Sequence, residues 1–553
     1  MQSRVTYNAK ARAFVWSGPY EERDLPRNAK FRLHPEKKIW YTNSYPAAAR
    51  LREIMDEPAK KEIDRKLLKI SPWAAPLLFP PDETPQPHQL EGALFALSRN
   101  RSYIAFDPGL GKTIVAIMIM NSLVAEQLRA RVRGDNFNPD PLFVYICPRF
   151  LTGNVEDEFL RWRTFDGPVR ILDRDPEVSA WPSLVLAPDS LIYREKHREE
   201  LEWYITYARE QRRELVLFVD EAHRFNFPDS ERSRALLGYD FEAEEKSPAG
   251  HVDGLADRFD RVIYLSGTPT NGRPMELYPI LSHSAHETIG FAGYYDYGDR
   301  YGGKETNAFG KTYLGAANVP ELVKKIEPFY LRKRKSVLNL PPKIEEALIV
   351  SGEMDPRLAK LDAALLAKYS PEDLVEAEIR KQAVADKILD PDDELHFATY
   401  RRLLGDLKVP FTVEIIRSLL EETEESVLVG CLHTAPLLAL AAHLGKYKPY
   451  VVNGEVKPQD RLALVKDFQT SKDRRLFLGN IKCMGIGYTL TKATRVLLME
   501  FSYSPSDNDQ FIDRTHRIGQ GGEVFAQYIT LKNSIDRKIL SNFLKKKKTV
   551  EII

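Results

Sequence analysis

Short apolar runs recur along the chain, each closed by turn residues and followed by helical periodicity: SYIAF, LFVYIC, SLVLA, ELVLFVD and RVIYLSG. Runs of this length between turns suit strands buried on both faces, and their alternation with helices suits a parallel sheet. The same rhythm returns in SVLVGCL, YVVNG, RLFLGN, RVLLME and VFAQYIT. The pattern predicts two α/β domains in tandem. Between them LAKLDAALLAKY through ATYRRLLGDL predicts charged helices, and the proline-rich SPWAAPLLFPPDETPQP predicts a connector behind a small N-terminal segment. The expected division is a segment and connector over 1–84, a first lobe over 85–345 with a helical insertion near its end, a helical linker over 346–410, and a second lobe over 411–553.

Composition narrows this only a little. At 553 residues the chain exceeds what one core usually serves, and 43% hydrophobic with 29% charged residues is globular, not disordered. Lys+Arg at 80 against Asp+Glu at 79 leaves a net charge of +1, which neither selects nor excludes nucleic acid. Cys147, Cys431 and Cys483 form no CxxC pair, so a zinc ribbon or disulfide framework is not expected and a reducing compartment is. MQSRVTYNAKARAF has no apolar core of a signal peptide, and no later stretch reads as a membrane span. The expectation is a protein of the cytoplasm or nucleoid, or of the nucleus in a eukaryote, that is neither secreted nor membrane-bound.

Candidate chemistry begins at SYIAFDPGLGKTIVAIMIM, where an apolar run stops at a turn with two glycines and a lysine. Strand, turn and helix are the setting of a phosphate loop: Gly109 and Gly111 let backbone N–H groups reach phosphate oxygens, and the helix aims its positive end at them. Lys112 would reach the β- and γ-phosphates and the Thr113 hydroxyl would bind Mg²⁺. Phe106 stands where the general phosphate-loop pattern has its first glycine, so a plain strand-to-helix turn stays open on this stretch alone. A second site decides for the cradle. ELVLFVDEAHRF puts Asp220 and Glu221 at the end of an apolar strand, where a parallel sheet presents ligands, with Asp220 for Mg²⁺ and Glu221 for the attacking water. DQFIDRTHRIGQ then places Arg514 and Arg517 three apart on an expected helix, as arginine fingers for the phosphoryl-transfer transition state.

With those residues in view, the chain from about residue 85 to its end resembles the Swi/Snf-type superfamily-two helicase-like ATPases. PHQLEG resembles the family's Q motif, and AFDPGLGKT resembles motif I. CPRFLTGNVEDEFLRW is similar to motif Ia, APDSL to motif Ib and DEAHR to motif II. LSGTPTNGRPMELY is similar to motif III with Asn271 and Glu276 behind it. In the second half VVNGEVKPQDR (Gly454, Arg461), GNIKCMGIGYTLTKA (motif V) and DRTHRIGQ with Gln510 (motif VI) follow in order. FGKTYLGAANVPELVKKIEPFYLRKRKSVLNLPPK and FRLHPEKKIWYT resemble the annealing-helicase, fork-remodelling branch. Departures are Met484 for a usual glycine, FNFPDS after DEAHR, and Tyr503 for a common tryptophan.

The resemblance implies two RecA-like lobes with ATP and Mg²⁺ as cofactors. It assigns Gln89, Asp107, Pro108, Gly109, Leu110, Gly111, Lys112, Thr113, Gly485 and Gly487 to ATP, and Thr113 and Asp220 to the metal. Lys112, Asp220, Glu221, Arg514 and Arg517 become the catalytic set, and Pro148, Ser190, Thr268, Gly454 and Thr489 candidate DNA contacts. Arg332, Lys333 and Lys335 in YLRKRK add either phosphate grip or a solvated hinge. The four lysines Lys545 to Lys548 read as a solvated helix end. The implied partner is duplex, forked or branched DNA, gripped by its backbone without regard to sequence by a monomeric motor. A strand-separating helicase, an ATP-gated DNA-binding module and a scaffold with a degenerate motor are the alternatives.

Overall fold

A computed structural model describes the chain except residues 1, 9–12, 30, 35–36, 43–44, 67, 135–139, 175–180, 229, 239–253, 271, 292, 304, 308–309, 314, 351–358, 360–361, 364–396, 485–487, 503–504, 533, 538 and 542–553. The chain divides into two compact units, Met1–Arg334 and Lys335–Glu551. Residues 335–345, expected in the first lobe, therefore belong to the second.

The N-terminal part of the first unit is a small antiparallel sheet of β1 (Arg4–Asn8), β2 (Ala13–Ser17), β3 (Arg32–Leu33) and β4 (Trp40–Thr42), in the order β1-β2-β4-β3. Val5, Phe14, Trp16, Phe31, Met55 and Ile63 fill its core. The proline-rich connector is anchored to the rest of the unit by backbone bonds: Trp73 N donates to Ser98 Oγ at 3.1 Å and Leu78 N to Ser122 Oγ at 3.1 Å.

The main sheet of this unit contains β5 (Arg101–Phe106), β6 (Leu142–Cys147), β7 (Val169–Ile171), β8 (Leu184–Pro188), β9 (Leu215–Val219), β10 (Arg261–Ser266) and β13 (Tyr330–Lys333). A hairpin, β11 (Glu305–Asn307) and β12 (Gly310–Thr312), precedes β13. All seven main strands run parallel in the order β13-β5-β10-β9-β6-β8-β7. The central strands are buried along their whole length, as their unbroken apolar runs require. Register aligns Ala105 with Ser266 and Ile146 with Val219, so the loops after β5, β6, β9 and β10 leave from one edge. Helix Lys112–Arg133 is long and apolar enough to cross a membrane by length and composition, which the chain's pattern did not lead us to expect. Its residues Val115–Val124 are buried in this unit, so its apolarity serves the core.

The second unit repeats the design with β14 (Lys343–Val350), β15 (Val427–Cys431), β16 (Tyr450–Val452), β17 (Leu476–Asn480), β18 (Arg495–Leu498) and β19 (Val524–Leu531). These are parallel in the order β14-β19-β18-β15-β17-β16. The tandem parallel α/β architecture expected from the apolar rhythm is thus present. The expected boundary at 410/411 falls inside one helix, Phe397–Glu422, with Pro410 in its middle. Proline costs a helix one hydrogen bond, but Tyr400, Leu404, Val409, Val413, Ile416 and Leu420 bury this helix's apolar face in the second unit's cores. Most of the expected 346–410 linker and Lys545 to Lys548 lie outside the described residues.

Candidate active site

The carboxyl edge of the first sheet collects the predicted chemistry. Asp107–Thr113 follow β5, Pro148 follows β6, Ser190 stands two residues past β8, Asp220 and Glu221 follow β9, and Thr268 stands two past β10. Gly109 and Gly111 have φ of 88° and 77°, the left-handed backbone a phosphate loop uses and glycine adopts most easily. At Gly111 there is also no room: a Cβ would lie 2.2 Å from Gln89 Nε2. Gly111 is the N-cap of helix Lys112–Arg133 and brings no side chain to cap it, so the first-turn N–H groups face an anion site.

The loop is held from both sides. Gln89 Nε2 donates to the Leu110 carbonyl at 3.1 Å, His88 Nε2 sits 3.0 Å from the same oxygen, and Gln89 Oε1 accepts from Gln86 N at 2.9 Å. Gln89, expected to bind ATP, is buried and braces the loop in this structure. On the other side Arg332 Nη2 donates to Asp107 Oδ1 at 2.7 Å and Nη1 to Ala105 O at 2.9 Å. Lys333 pairs with Glu91 at 2.6 Å, and Lys335 with Asp513 at 2.8 Å. Arg332, Lys333 and Lys335 are thus half-buried, each with an acidic partner within the protein. Phe106, the departure from the glycine pattern, is buried against helix Pro87–Leu97, where a Cβ on Gly92 would lie 2.8 Å from its ring. Its carbonyl holds the Lys112 ammonium at 3.3 Å.

Asp220 is buried, with Oδ1 accepting from Glu221 N at 2.8 Å and Oδ2 from the Tyr145 hydroxyl at 3.0 Å. Thr113, in the first turn of the helix after the phosphate loop, lies near the same hydroxyl. Burial, then the neighbouring Glu221 charge, pushes the Asp220 carboxyl up to about 6, against the pull of Lys112. Glu221 has φ 49°, a strained backbone for a residue with a side chain, and its Oε2 lies 3.2 Å from His223 Nδ1. His223 Nδ1 is 3.0 Å from Ser266 Oγ, which accepts from Thr268 N at 3.2 Å. The Thr268 hydroxyl is buried with no hydrogen-bond partner among the described residues. Asn226, inside the FNFPDS departure, donates to Pro269 O at 2.7 Å and makes a second tie between the DEAH and SGTP turns.

One carboxylate and one hydroxyl at a shared point suit Mg²⁺, which keeps waters and takes phosphate oxygens for its other ligands. Among the described residues no cluster of three or more His, Cys, Asp and Glu exists that would suit a protein-only metal cage.

Of the candidate DNA contacts, Pro148 is buried, Ser190 half-buried, and Gly454 and Thr489 exposed. Beside Ser190, the nearly buried Asp189 carboxylate accepts from Arg224 at 2.5 Å and Arg232 at 3.0 Å. Arg461 donates to Val456 O at 2.7 Å and so shapes the Gly454 loop. Gly485, Gly487, Asn271 and Tyr503 lie outside the described residues. Met484 is buried, and a Cβ on Gly479 would lie 2.7 Å from its Cγ. Arg514 and Arg517 do not sit on a helix as expected: the helix spans Pro505–Ile512, and both arginines come in the turn beyond it. Arg514 is buried and Arg517 half-buried. Gln520 staples that turn by donating to Thr515 O at 2.9 Å and Ala493 O at 3.1 Å.

A family profile described as "Helicase conserved C-terminal domain" matches residues 411–519. The chain is 28% identical over 460 residues to the SWI/SNF-related matrix-associated actin-dependent regulator of chromatin subfamily A-like protein 1 of Xenopus tropicalis, covering 81% of this chain and 43% of that protein. It is 26% identical over 475 residues to the human DNA annealing helicase and endonuclease ZRANB3, covering 81% of this chain and 38% of that protein. The chain thus spans less than half the length of these curated relatives. A solved Sulfolobus solfataricus SWI2/SNF2 ATPase core in complex with dsDNA aligns with 87% of this chain and 95% of its own, at 18% identity and a TM-score of 0.37.

This geometry has two measurable outcomes. With its folded carboxyl near 6 and an unfolded one near 3.8, Asp220 costs no stability at low pH, and its penalty grows through that window and is full above it. Asp220→Asn therefore melts higher than wild type in EDTA at neutral pH, and the gain shrinks through pH 6 to 4 and vanishes below about pH 3, where the wild-type side chain is protonated in both states. Tyr145→Phe removes the hydroxyl that donates to Asp220 Oδ2. The Mg²⁺ concentration needed for half-maximal nucleotide binding rises about tenfold, the scale of one hydrogen bond to a charged group, while binding in EDTA is unchanged. Nucleotide fluorescence titrations check this.

Proposed function

We propose that this chain, one of the Swi/Snf-type superfamily-two helicase-like proteins, is a DNA-stimulated ATPase that moves on duplex or branched DNA and remodels it or displaces bound protein. The observation that carries the reading is the buried Asp220, bonded by the Tyr145 hydroxyl and followed by Glu221, on the same sheet edge as the glycine loop that opens the uncapped N-terminus of helix Lys112–Arg133.

In this reading the Gly109–Gly111 backbone and Lys112 bind the phosphates. Lys112 exchanges its weak bond to the Phe106 carbonyl for the β- and γ-phosphate oxygens. Asp220 and Thr113 would hold Mg²⁺, which would offset the charge on those oxygens. Glu221 orients the attacking water and takes its proton toward Oε2, with His223 next to it. Arg514 and Arg517, carried by the second unit, neutralise charge that builds on the γ-phosphoryl group. DNA that favours the conformation competent for hydrolysis raises the rate. The Ser266 hydroxyl links the Thr268 turn to His223, so a phosphate contact there is felt at the water-activating carboxylate.

The names of the relatives include an annealing helicase, which favours rejoining or migrating strands over separating them for this chain. Sequence-independent backbone contacts make binding salt-sensitive.

ATP turnover measured with single-stranded, duplex, forked and four-way DNA and with duplex RNA tests the proposal. Forked and duplex DNA stimulate most and RNA least; equal rates with every polymer overturn the DNA-motor reading. Glu221→Gln binds ATP with unchanged affinity and turns over about 100-fold slower or worse. Near-normal turnover removes Glu221 from its role.

A further inference from the structure

We propose that the segment Arg332–Lys343 is a positioning strap, whose first residue sets the phosphate loop and whose lysines, Lys335 and Lys343, set the turn that carries Arg514 and Arg517. The inference rests on the ATPase reading above and adds to it the residues that place the arginines.

In the first unit Arg332 reaches three acceptors: Ala105 O at 2.9 Å, Gly267 O at 3.3 Å and Asp107 Oδ1 at 2.7 Å. One side chain therefore ties the end of β5, the SGTP turn and the start of the phosphate loop. Two residues past β13 the chain has entered the second unit. There Lys335 Nζ lies 2.8 Å from Asp513 Oδ1 and donates to His516 O at 2.7 Å. Lys343 Nζ lies 3.4 Å from the same Asp513 oxygen, and His516 Nε2 is 2.8 Å from Pro341 O. Arg517 Nε donates to Asp513 O at 3.1 Å.

Asp513 immediately precedes Arg514, and His516 immediately precedes Arg517. The strap grips the residue before each arginine. That grip matters because past the helix the backbone bonds thin out from the i→i−4 bond of Asp513 N to Asp509 O at 2.8 Å to the single-turn bonds Arg514 N to Phe511 O at 3.2 Å and Thr515 N to Ile512 O at 3.0 Å; Gly519, with φ 98°, ends the turn. Two ammonium groups on one buried carboxylate are a costly way to stabilise a fold, since apolar side chains of similar size do at least as well. Burial pulls Lys335 down to about 8 even with Asp513 beside it. Burial lowers Lys343 too, but Asp513 and Glu345 outweigh it and hold that lysine well above its usual range. Such a cluster makes sense where a guanidinium must be placed to within a fraction of an ångström.

The test uses the full chain with Lys335→Met, Lys335→Arg and Asp513→Asn. Affinity for Mg·ADP, affinity for Mg·ADP with aluminium fluoride, and DNA-stimulated turnover are measured together. Lys335→Met keeps its affinity for ADP, loses most of the extra affinity for the aluminium fluoride complex, and loses about 100-fold in turnover, as expected for misplaced charge that acts only in the transition state. Lys335→Arg restores part of both losses. Asp513→Asn, which keeps the side chain's shape and frees both lysines, gives the same split and serves if Lys335→Met does not fold. ADP and transition-state affinities that fall together, or turnover that stays at the wild-type level in the folded variants, overturn the strap. Wild-type protein with no ATP turnover at all would instead remove the ATPase reading on which it stands.

Discussion

A triphosphate needs several N–H groups aimed at one point, and a loop that can do this is unstable unless something else holds it. Here Gln89 and His88 hold the Leu110 carbonyl from one side and Arg332 holds Asp107 from the other. The glycines between are thereby kept in left-handed backbone while leaving their N–H groups unspent. Everything else in the first unit is arranged around this loop. The parallel register brings the DEAH turn, the SGTP turn and the Asp189 loop to the same edge, where the Tyr145 hydroxyl donates to Asp220.

The apolar rhythm was enough to read both sheets, because strands buried on two faces must be apolar throughout and helices must separate parallel strands. The loops that carry chemistry were legible for a related reason: glycine, lysine and paired acids interrupt those runs at strand ends. The supports of those loops were not legible. Tyr145 looks like one more strand residue in LFVYIC, and only the register of β6 beside β9 shows its hydroxyl next to Asp220. Asp189 and its two arginines are separated by more than thirty residues in sequence. The arginine turn was read as helix because a three-residue spacing fits one, but the helix stops at Ile512 and the strap holds the residues beyond it.

Charge shows the same limit. YLRKRK reads as a basic patch, and basic patches invite phosphate. In the fold, Arg332, Lys333 and Lys335 each have an internal acceptor, so the cations that looked available are committed. A net charge of +1 hides this, because composition counts a buried ion pair and a solvated cation alike. Where the chain does expose functional candidates, as at Gly454 and Thr489, their side chains are small, which suits close approach to a backbone more than a long-range grip.

The costly features of the molecule cluster instead of scattering. Asp220 is buried with its carboxyl pushed up, Glu221 holds a left-handed backbone, the Thr268 hydroxyl lacks a partner among the described residues, and two lysines crowd Asp513. Each lowers stability relative to a simple alternative, and each sits at a strand end of the first sheet or at the arginine turn. Folding alone would select against them one by one. On the proposed ATPase reading they persist together because a charged ligand compensates them: Mg²⁺ and Lys112 would suit ionised Asp220, phosphate oxygens the Thr268 hydroxyl, and a developing phosphoryl charge the two guanidinium groups. Each unit therefore carries the same physical character, a local instability of the kind that a nucleotide's phosphates relieve.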